Sequence, residues 1–322
     1  MVDRLSLLCA VALLSACATA PDAPPPPRSA RYVLVPLSST LRQRPADDAP
    51  GVQLRPGGNS LEVMAFRRVR RRPGWVLVEP PSRPERQCHP ALRAPEGLRL
   101  RFWVRESELA PALVRTVQRR AEDGSSLRAQ AGLRVVRDGD RARIALAPGA
   151  QVELALDPSE VGDEFREPRP TSIDEPGERL TSDVNTPFLG AGSLMTSRGG
   201  APLYVTQRRA VGGGHLARVH TACAGLEVVV MPRQVVPVVS VEMDERPEAP
   251  RAEADGVTVS AGTRLRWPDG GLAGSVLSDA RLASETRRVG AMSCYAVPLT
   301  VDGVEGLRPA RVEVCAEPPA EP

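Results

Sequence analysis

The sequence contains no lysine, few aromatic residues and only three histidines. All 42 basic residues are arginine, and the aromatic residues are four Phe, three Trp and three Tyr. Without lysine, the glycine-rich stretches at residues 190–193 and 212–215 do not complete a Walker phosphate-binding loop, so they are predicted to be turns. The shortage of aromatic rings argues against a site that stacks sugars or binds proline-rich peptides.

Common catalytic signatures are also missing. Neither a Gly-x-Ser-x-Gly nor a His-Glu-x-x-His motif occurs, and His89, His215 and His220 leave few general bases. The sequence therefore predicts a protein without enzymatic activity and without a cofactor. A hydrolase built on a pair of carboxylates stays open as an alternative, because such a pair is not visible in a sequence.

The only long hydrophobic run lies at the N-terminus, over residues 5–14. As a helix, ten residues rise about 15 Å, too short for a hydrocarbon core of about 30 Å. The run is therefore predicted to be a secretory signal rather than a membrane span. Export and a formal net charge of only +3 both argue against a nucleic-acid partner.

The end of this run, Leu14-Ser15-Ala16-Cys17, resembles the lipobox of bacterial lipoprotein precursors. The resemblance implies cleavage before Cys17, a diacylglycerol thioether on its sulfur and a fatty acid such as palmitate on the new N-terminus. Several acyl chains anchor a protein stably where one chain does not. Ala18 is not the aspartate that retains lipoproteins in the inner membrane, which favours the outer membrane. The alternative is plain secretion with Cys17 as an ordinary thiol.

The remaining cysteines predict disulfides. Cys9 leaves with the signal and Cys17 takes lipid, which leaves four cysteines in an oxidising compartment: Cys88, Cys223, Cys294 and Cys315. Of the three pairings that four cysteines allow, a hairpin favours Cys294 with Cys315, and Cys88 then pairs with Cys223. Together with His89 and His220, the second pair also matches a tetrahedral zinc set by residue type. The disulfide is the favoured interpretation, and no metal is predicted.

The pattern of the mature chain is that of a mostly β protein. Proline and glycine number 33 and 27, which suits short strands joined by turns. Polar and apolar residues alternate at 61–66, 98–104, 141–146 and 151–156, and residues 226–230 indicate a buried strand. The strand at 61–66, a turn at 70–74 and a returning strand at 75–78 predict a hairpin. The one predicted helix covers residues 106–121. The fold prediction is short antiparallel strands that form small barrels or sandwiches, with few helices.

Two stretches of similar sequence predict two related halves. The motifs near residues 97 and 131 recur near residues 225 and 261, at offsets of 128 and 130. Gly74-Trp75-Val76 and a later Phe-Trp-Val are similar to motifs of bacterial SH3-like modules, which implies small barrels.

Composition shifts predict the domain boundaries. The proposed segments are a signal peptide (1–16), a lipidated cysteine and Pro-rich tether (17–31), a first half (32–160), a linker (161–185), a second half (186–316) and a tail (317–322).

A run of basic residues is the candidate binding site for an anionic partner. It comprises Arg67, Arg68, Arg70, Arg71 and Arg72, which a hairpin would hold near one tip. Guanidinium groups bind phosphates of lipid or lipopolysaccharide and carboxylates of peptidoglycan. The alternative is a solvated hairpin end, or an edge strand charged against aggregation.

Together these features predict a non-catalytic binding or scaffolding module, anchored by lipid in the cell envelope and facing the periplasm or the surface. Its expected partners are the membrane itself and envelope proteins, peptidoglycan or lipopolysaccharide. An envelope hydrolase and a surface adhesin are the alternatives.

Overall fold

The computed structural model describes residues 30–55, 62–83, 87–120, 126–138, 141–147, 150–168, 256–301 and 309–318, together with strand segments between residues 178 and 237. These residues form a mostly β protein of short antiparallel strands, so the predicted fold class is confirmed. Short 3-10 turns occur at Glu106–Glu108 and Pro158–Glu160. No helix within these ranges has the length and apolar character needed to cross a membrane.

The first sixteen strands lie between residues 31 and 166. They are β1 (Arg31–Pro36), β2 (Thr40–Arg42), β3 (Gly51–Gln53), β4 (Val63–Arg72), β5 (Trp75–Glu79), β6 (Leu92–Arg93), β7 (Leu98–Leu100), β8 (Phe102–Arg105), β9 (Ala112–Leu113), β10 (Val117–Arg120), β11 (Ser126–Ala129), β12 (Val135–Asp138), β13 (Arg141–Ala147), β14 (Ala150–Leu154), β15 (Val161–Gly162) and β16 (Phe165–Arg166).

The remaining strands lie between residues 178 and 316. They are β17 (Glu178–Leu180), β18 (Thr186–Pro187), β19 (Met195–Ser197), β20 (Tyr204–Val211), β21 (Gly214–Thr221), β22 (Ala224–Val230), β23 (Val235–Pro237), β24 (Val257–Val259), β25 (Arg264–Arg266), β26 (Leu272–Val276), β27 (Ala280–Leu282), β28 (Glu285–Val289), β29 (Met292–Val301) and β30 (Ala310–Ala316).

Strands from both ends of the chain build one hydrophobic core. One sheet has the strand order β16-β1-β4-β5-β8-β2-β3, and a second has the order β28-β29-β30-β25-β26-β7 with β6 paired to β29. Phe66, Phe102 and Trp267 are fully buried in the core that the two sheets share. Burial of apolar surface contributes roughly 25 cal/mol per Å², so side chains of this size dominate the stability of the core.

The chain passes from one sheet to the other at Arg101. Strand β8 pairs with β5, whereas β7 pairs with β26, and the backbone N–H of Arg101 donates to the carbonyl oxygen of Ala273 at 2.8 Å. Gly274 lies opposite Leu100, where a Cβ atom would be 1.9 Å from the carbonyl oxygen of Arg99. The absence of a side chain at Gly274 therefore allows β7 and β26 to pair.

A second sandwich lies within residues 112–237. Its sheets have the orders β10-β11-β22-β21-β20-β17-β23 and β12-β13-β14-β19-β18. Leu127 and Leu226 from the first sheet pack in one buried cluster with Val135, Ile144 and Val152 from the second. On β10, β11 and β22 the opposite face carries polar side chains, which are Gln118, Arg120, Ser126, Arg128 and Glu227.

Strand β1 is buried on both faces because the two sandwiches meet on it. Val33 and Val35 belong to the first core, whereas Tyr32 and Leu34 pack with Phe165 on the other side. The ring centroids of Tyr32 and Phe165 are 6.0 Å apart. Burial on both faces explains why this strand is a continuous apolar run rather than an alternating one.

Three short strands lie within residues 161–185, the stretch predicted to be a linker. Strand β15 pairs with β9, β16 pairs with β1, and β17 pairs with β20 and β23. The domain boundaries drawn from the sequence stay a prediction. The stretch predicted to be a linker is joined to neighbouring strands by these backbone pairings.

The hairpin predicted around residues 61–78 is confirmed. Residues 67–72 of β4 pair with β5, with a bulge between Arg68 and Arg70, and the strands turn at Pro73-Gly74, where Gly74 has a φ of 74°. Glycine adopts this left-handed conformation without the steric penalty of a side chain.

The helix predicted over residues 106–121 is wrong. After the single 3-10 turn at Glu106–Glu108, the chain forms β9 and β10. Pro111 has no N–H to donate to a helical hydrogen bond, and the β-branched Val114 and Val117 favour extended backbone.

Candidate functional site

Both predicted disulfides are present. The Cα atoms of Cys88 and Cys223 are 5.6 Å apart, and this bond joins the segment after β5 to the β21–β22 hairpin. Cys294 and Cys315 are directly opposite each other on β29 and β30 and form the second bond. Neither pair therefore offers a free thiol.

The zinc alternative is wrong because the disulfide uses both sulfurs of the Cys88 and Cys223 pair. Within the residues that the structure covers, no three His, Cys, Asp or Glu side chains form a group that could hold a metal ion. Cys17, the predicted lipidation residue, lies outside the described residues.

His89 follows Cys88 of the first disulfide and is partly buried. Its Nε2 atom is 3.0 Å from the carbonyl oxygen of Gly132, so the neutral ring donates a hydrogen bond there. Burial, with a smaller contribution from the nearby charge of Arg134, lowers the pKa of His89 to about 4 against the opposing effect of the Gly132 hydrogen bond. His89 is therefore neutral at physiological pH.

Three arginines of the predicted basic cluster are paired with carboxylates. The Arg67 guanidinium binds Glu79, which is 1% exposed and also accepts from Nε of Arg101 at 3.1 Å. Arg68 NH1 and Arg71 Nε both lie 2.9 Å from Oε1 of Glu164. Much of the positive charge of this cluster is thus neutralised within the protein.

The other two arginines of the cluster lie over a tryptophan. The Cζ atoms of Arg70 and Arg72 are 5.9 Å and 5.4 Å from the ring centroid of Trp103, and both side chains are exposed. A guanidinium over an indole face is held by cation–π attraction, which leaves its N–H donors directed outwards. Neither has a carboxylate partner in the described part of the chain.

The neighbouring Trp75 also has two arginines over its ring, but both of them are paired with carboxylates. Arg42 and Arg105 lie over its ring at 5.4 Å and 5.6 Å. These two arginines also pair with Glu108 and Asp47, and the hydrogen bond from Arg105 lowers the pKa of Asp47. Net positive charge on this face of the sheet is therefore concentrated at Arg70 and Arg72.

A second basic surface is a groove of about 620 Å³ on the polar face of the β10-β11-β22-β21 sheet. We call it the sheet groove. Its lining residues are Gln118, Arg119, Arg120, Ser126, Leu127, Arg128, Arg218, Gly225, Leu226 and Glu227. Arg128 lies opposite Gly225, which has no side chain, and this gap in the row of side chains forms the floor.

Two of the groove arginines are neutralised. Arg218 binds Oε1 of Glu227 through Nε and NH2, at 3.2 Å and 2.7 Å. Arg119 binds the buried Glu160 at 2.6 Å. Burial alone raises the pKa of Glu160, but hydrogen bonds from the Asp157 backbone and from Arg119 outweigh it and hold that pKa below its usual value. Glu160 therefore stays ionised beneath the rim of the groove.

Arg120 and Arg128 are the exception in the groove. Both are exposed, and neither pairs with a carboxylate among the residues described. Arg128 is opposite Gln118, and Arg120 is opposite Ser126 on the same pair of strands. The two arginines are thus diagonal neighbours, for which Cβ atoms are about 7–8 Å apart.

The sequence alone does not point to this groove. Arg120, Arg128 and Arg218 come from three strands, and β11 pairs with β22 across nearly one hundred residues of sequence. The available signal is the alternation in Gln118-Arg119-Arg120 and Ser126-Leu127-Arg128, which places polar side chains on one face of each strand. It does not show which strands are neighbours.

Comparisons with protein-family models, with curated proteins and with solved structures find no match for this chain.

Proposed function

We propose that this protein is a lipid-anchored, non-catalytic binding module of the bacterial cell envelope, and that the sheet groove binds an anionic group of an envelope polymer. The observation that carries the proposal is the pair Arg120 and Arg128, whose guanidinium groups have no carboxylate partner in the described structure. A ligand carboxylate or phosphate supplies the acceptor that the protein does not.

The shape of the groove supports this assignment. Gly225 leaves room at the floor for a ligand group, and the exposed arginines lie beside it. Gln118 and Ser126 add neutral hydrogen-bonding groups next to the two charges. Charge-assisted hydrogen bonds from guanidinium to carboxylate or phosphate are about twice as strong as neutral ones. These two arginines with their neutral polar neighbours favour a polar, negatively charged ligand over an apolar one.

Two features support an envelope location. The first is the resemblance of residues 14–17 to a lipobox. The second is the pair of disulfides, because such bonds persist in oxidising compartments outside the cytosol.

We expect Cys17→Ser to release the protein from membranes almost completely, because the lipid is the proposed anchor. Fractionation of cells that express the wild type and the variant measures this, with Cys9→Ser as the control that keeps the lipid site. If Cys17→Ser protein sediments with membranes as the wild type does, the lipid anchor is excluded.

Binding in the groove is tested with Arg120→Gln/Arg128→Gln. The double variant is expected to bind about tenfold more weakly, because about 1.4 kcal/mol of charge-assisted hydrogen bonding is lost. Co-sedimentation with purified peptidoglycan sacculi and, separately, with lipopolysaccharide distinguishes a carboxylate ligand from a phosphate ligand.

The matched control is Arg264→Gln/Arg311→Gln, which removes two exposed arginines of another sheet that also lack a carboxylate partner in the described structure. The control is expected to bind like the wild type. If the two double variants bind either polymer equally weakly, only net charge matters, and the groove is removed from the proposal.

A further inference from the structure

The arginine hairpin, by which we mean β4, β5 and the turn between them, projects beyond the start of β1. Tyr32 is opposite Arg67, and Pro36 is opposite Val63. Continued by one residue, this antiparallel register places Arg31 at the level of Arg68. A bulge between Arg68 and Arg70 takes up one residue of β4. At about 3.4 Å per residue, Arg70 and Arg72 therefore extend roughly 3 Å and 10 Å past the beginning of β1.

The chain that carries the proposed anchor enters the fold at this same end. Residues 18–30 connect Cys17 to Arg31, and a chain of that length spans at most about 45 Å. The exposed Arg70 and Arg72 therefore lie at the end of the sheet from which the chain leads to the proposed lipid on Cys17.

We propose that the arginine hairpin docks on the phosphate headgroups of an anionic lipid bilayer, so that the anchored protein rests on its membrane with this end down. The inference rests on the proposed lipid anchor. Arg70 and Arg72 supply positive charge that the described structure does not neutralise. Trp103 lies beneath them, and Trp75 is opposite Arg72 at the tip of the hairpin. Amphipathic indole rings favour the depth of the headgroups.

The strength expected of this contact fits a tethered protein. Each basic side chain near an anionic bilayer contributes about fivefold to the binding constant, so two contribute about 30-fold. Such a contact is too weak to recruit a dilute protein. A short tether raises the local concentration to the millimolar range, where a weak contact is populated.

The three tryptophans allow a direct measurement. Trp75 begins β5 at the tip of the hairpin, Trp103 is one strand away, and Trp267 is fully buried in the first core. The mature lipidated protein is placed in phosphatidylcholine vesicles with or without phosphatidylglycerol. Quenching of tryptophan fluorescence by lipids brominated near the headgroup is then compared with the signal in unbrominated vesicles.

We expect quenching in the anionic vesicles at low salt, and loss of it at high salt and in neutral vesicles. Arg70→Gln/Arg72→Gln is expected to reduce the docking constant about 30-fold. The Arg120→Gln/Arg128→Gln variant, altered in the sheet groove, is expected to be quenched like the wild type.

Co-sedimentation of each sample separates this inference from the anchor itself. Protein that stays in the supernatant when the vesicles sediment shows that the proposed anchor does not hold it. Protein that sediments with anionic vesicles but is not quenched, or a hairpin variant quenched as strongly as the wild type, overturns the docking. Quenching that is equal in neutral and anionic vesicles overturns it as well, since the contact is then not with headgroup charge.

Discussion

Replacing Cys88 and Cys223 with alanine is expected to lower the free energy of unfolding by about 5 kcal/mol. The bond closes a loop with a sequence separation of 135. In the chain-entropy description of disulfides, the stabilisation grows with the logarithm of loop length and reaches roughly 5 kcal/mol for a loop of this size. Urea unfolding of the oxidised wild type and of the variant measures the difference.

The second disulfide provides the matched control. Cys294 and Cys315 have a sequence separation of only 21, for which the same relation gives about 3 kcal/mol. The two loops do not overlap along the chain, so their effects are expected to add. Equal losses from the two double variants, or no loss from Cys88→Ala/Cys223→Ala, would contradict the loop-closure account.

Stability is expected to fall as the pH is lowered from about 6.5 to about 4, because of His89. The folded pKa of His89 is about 4 and its usual value is 6.5. Between these values the unfolded chain binds the proton and the folded protein does not, so acid favours unfolding. With respect to His89, the free energy of unfolding is therefore highest above pH 6.5. His89 lowers it by at most about 3 kcal/mol at low pH, and contact of the ring with solvent makes the loss smaller.

His89→Gln isolates this effect. The glutamine amide keeps a donor for the Gly132 carbonyl oxygen and does not titrate. We expect the variant to lose less stability than the wild type between pH 7 and pH 4.5 in urea unfolding. Parallel stability curves for the two proteins across this range would show that His89 is protonated alike in both states.

Local patterns in the sequence predict the parts of the fold that are local. The alternating run before Arg70–Gly74 and the apolar run after it predict the β4–β5 hairpin. A second predicted hairpin favours the Cys294–Cys315 bond over the other pairings and leaves Cys88 with Cys223. The error over residues 106–121 has a local cause, since Pro111 outweighs the helical spacing of the residues around it.

Pairing between distant strands is not visible in the same patterns. Leu98–Leu100 lies against Leu272–Val276, and the glycine that permits it differs from other glycines only in its surroundings. The partners of the five candidate arginines are equally hidden, because Glu164 reaches Arg68 and Arg71 only through the position of β16 beside β1. The sequence therefore predicts a basic tip but not which of its charges remain exposed.

The closing of the first core by the last strands has a consequence for biogenesis. A protein chain is synthesised from its N-terminus, so residues 31–105 exist well before residues 257–316, which pack in the same core. Until those arrive, the apolar faces of β1, β4, β5 and β8 have no covering sheet. Contacts this far apart in sequence also form slowly. A chain that ends before residue 257 is therefore expected to expose these apolar faces and to aggregate more readily than the full-length protein.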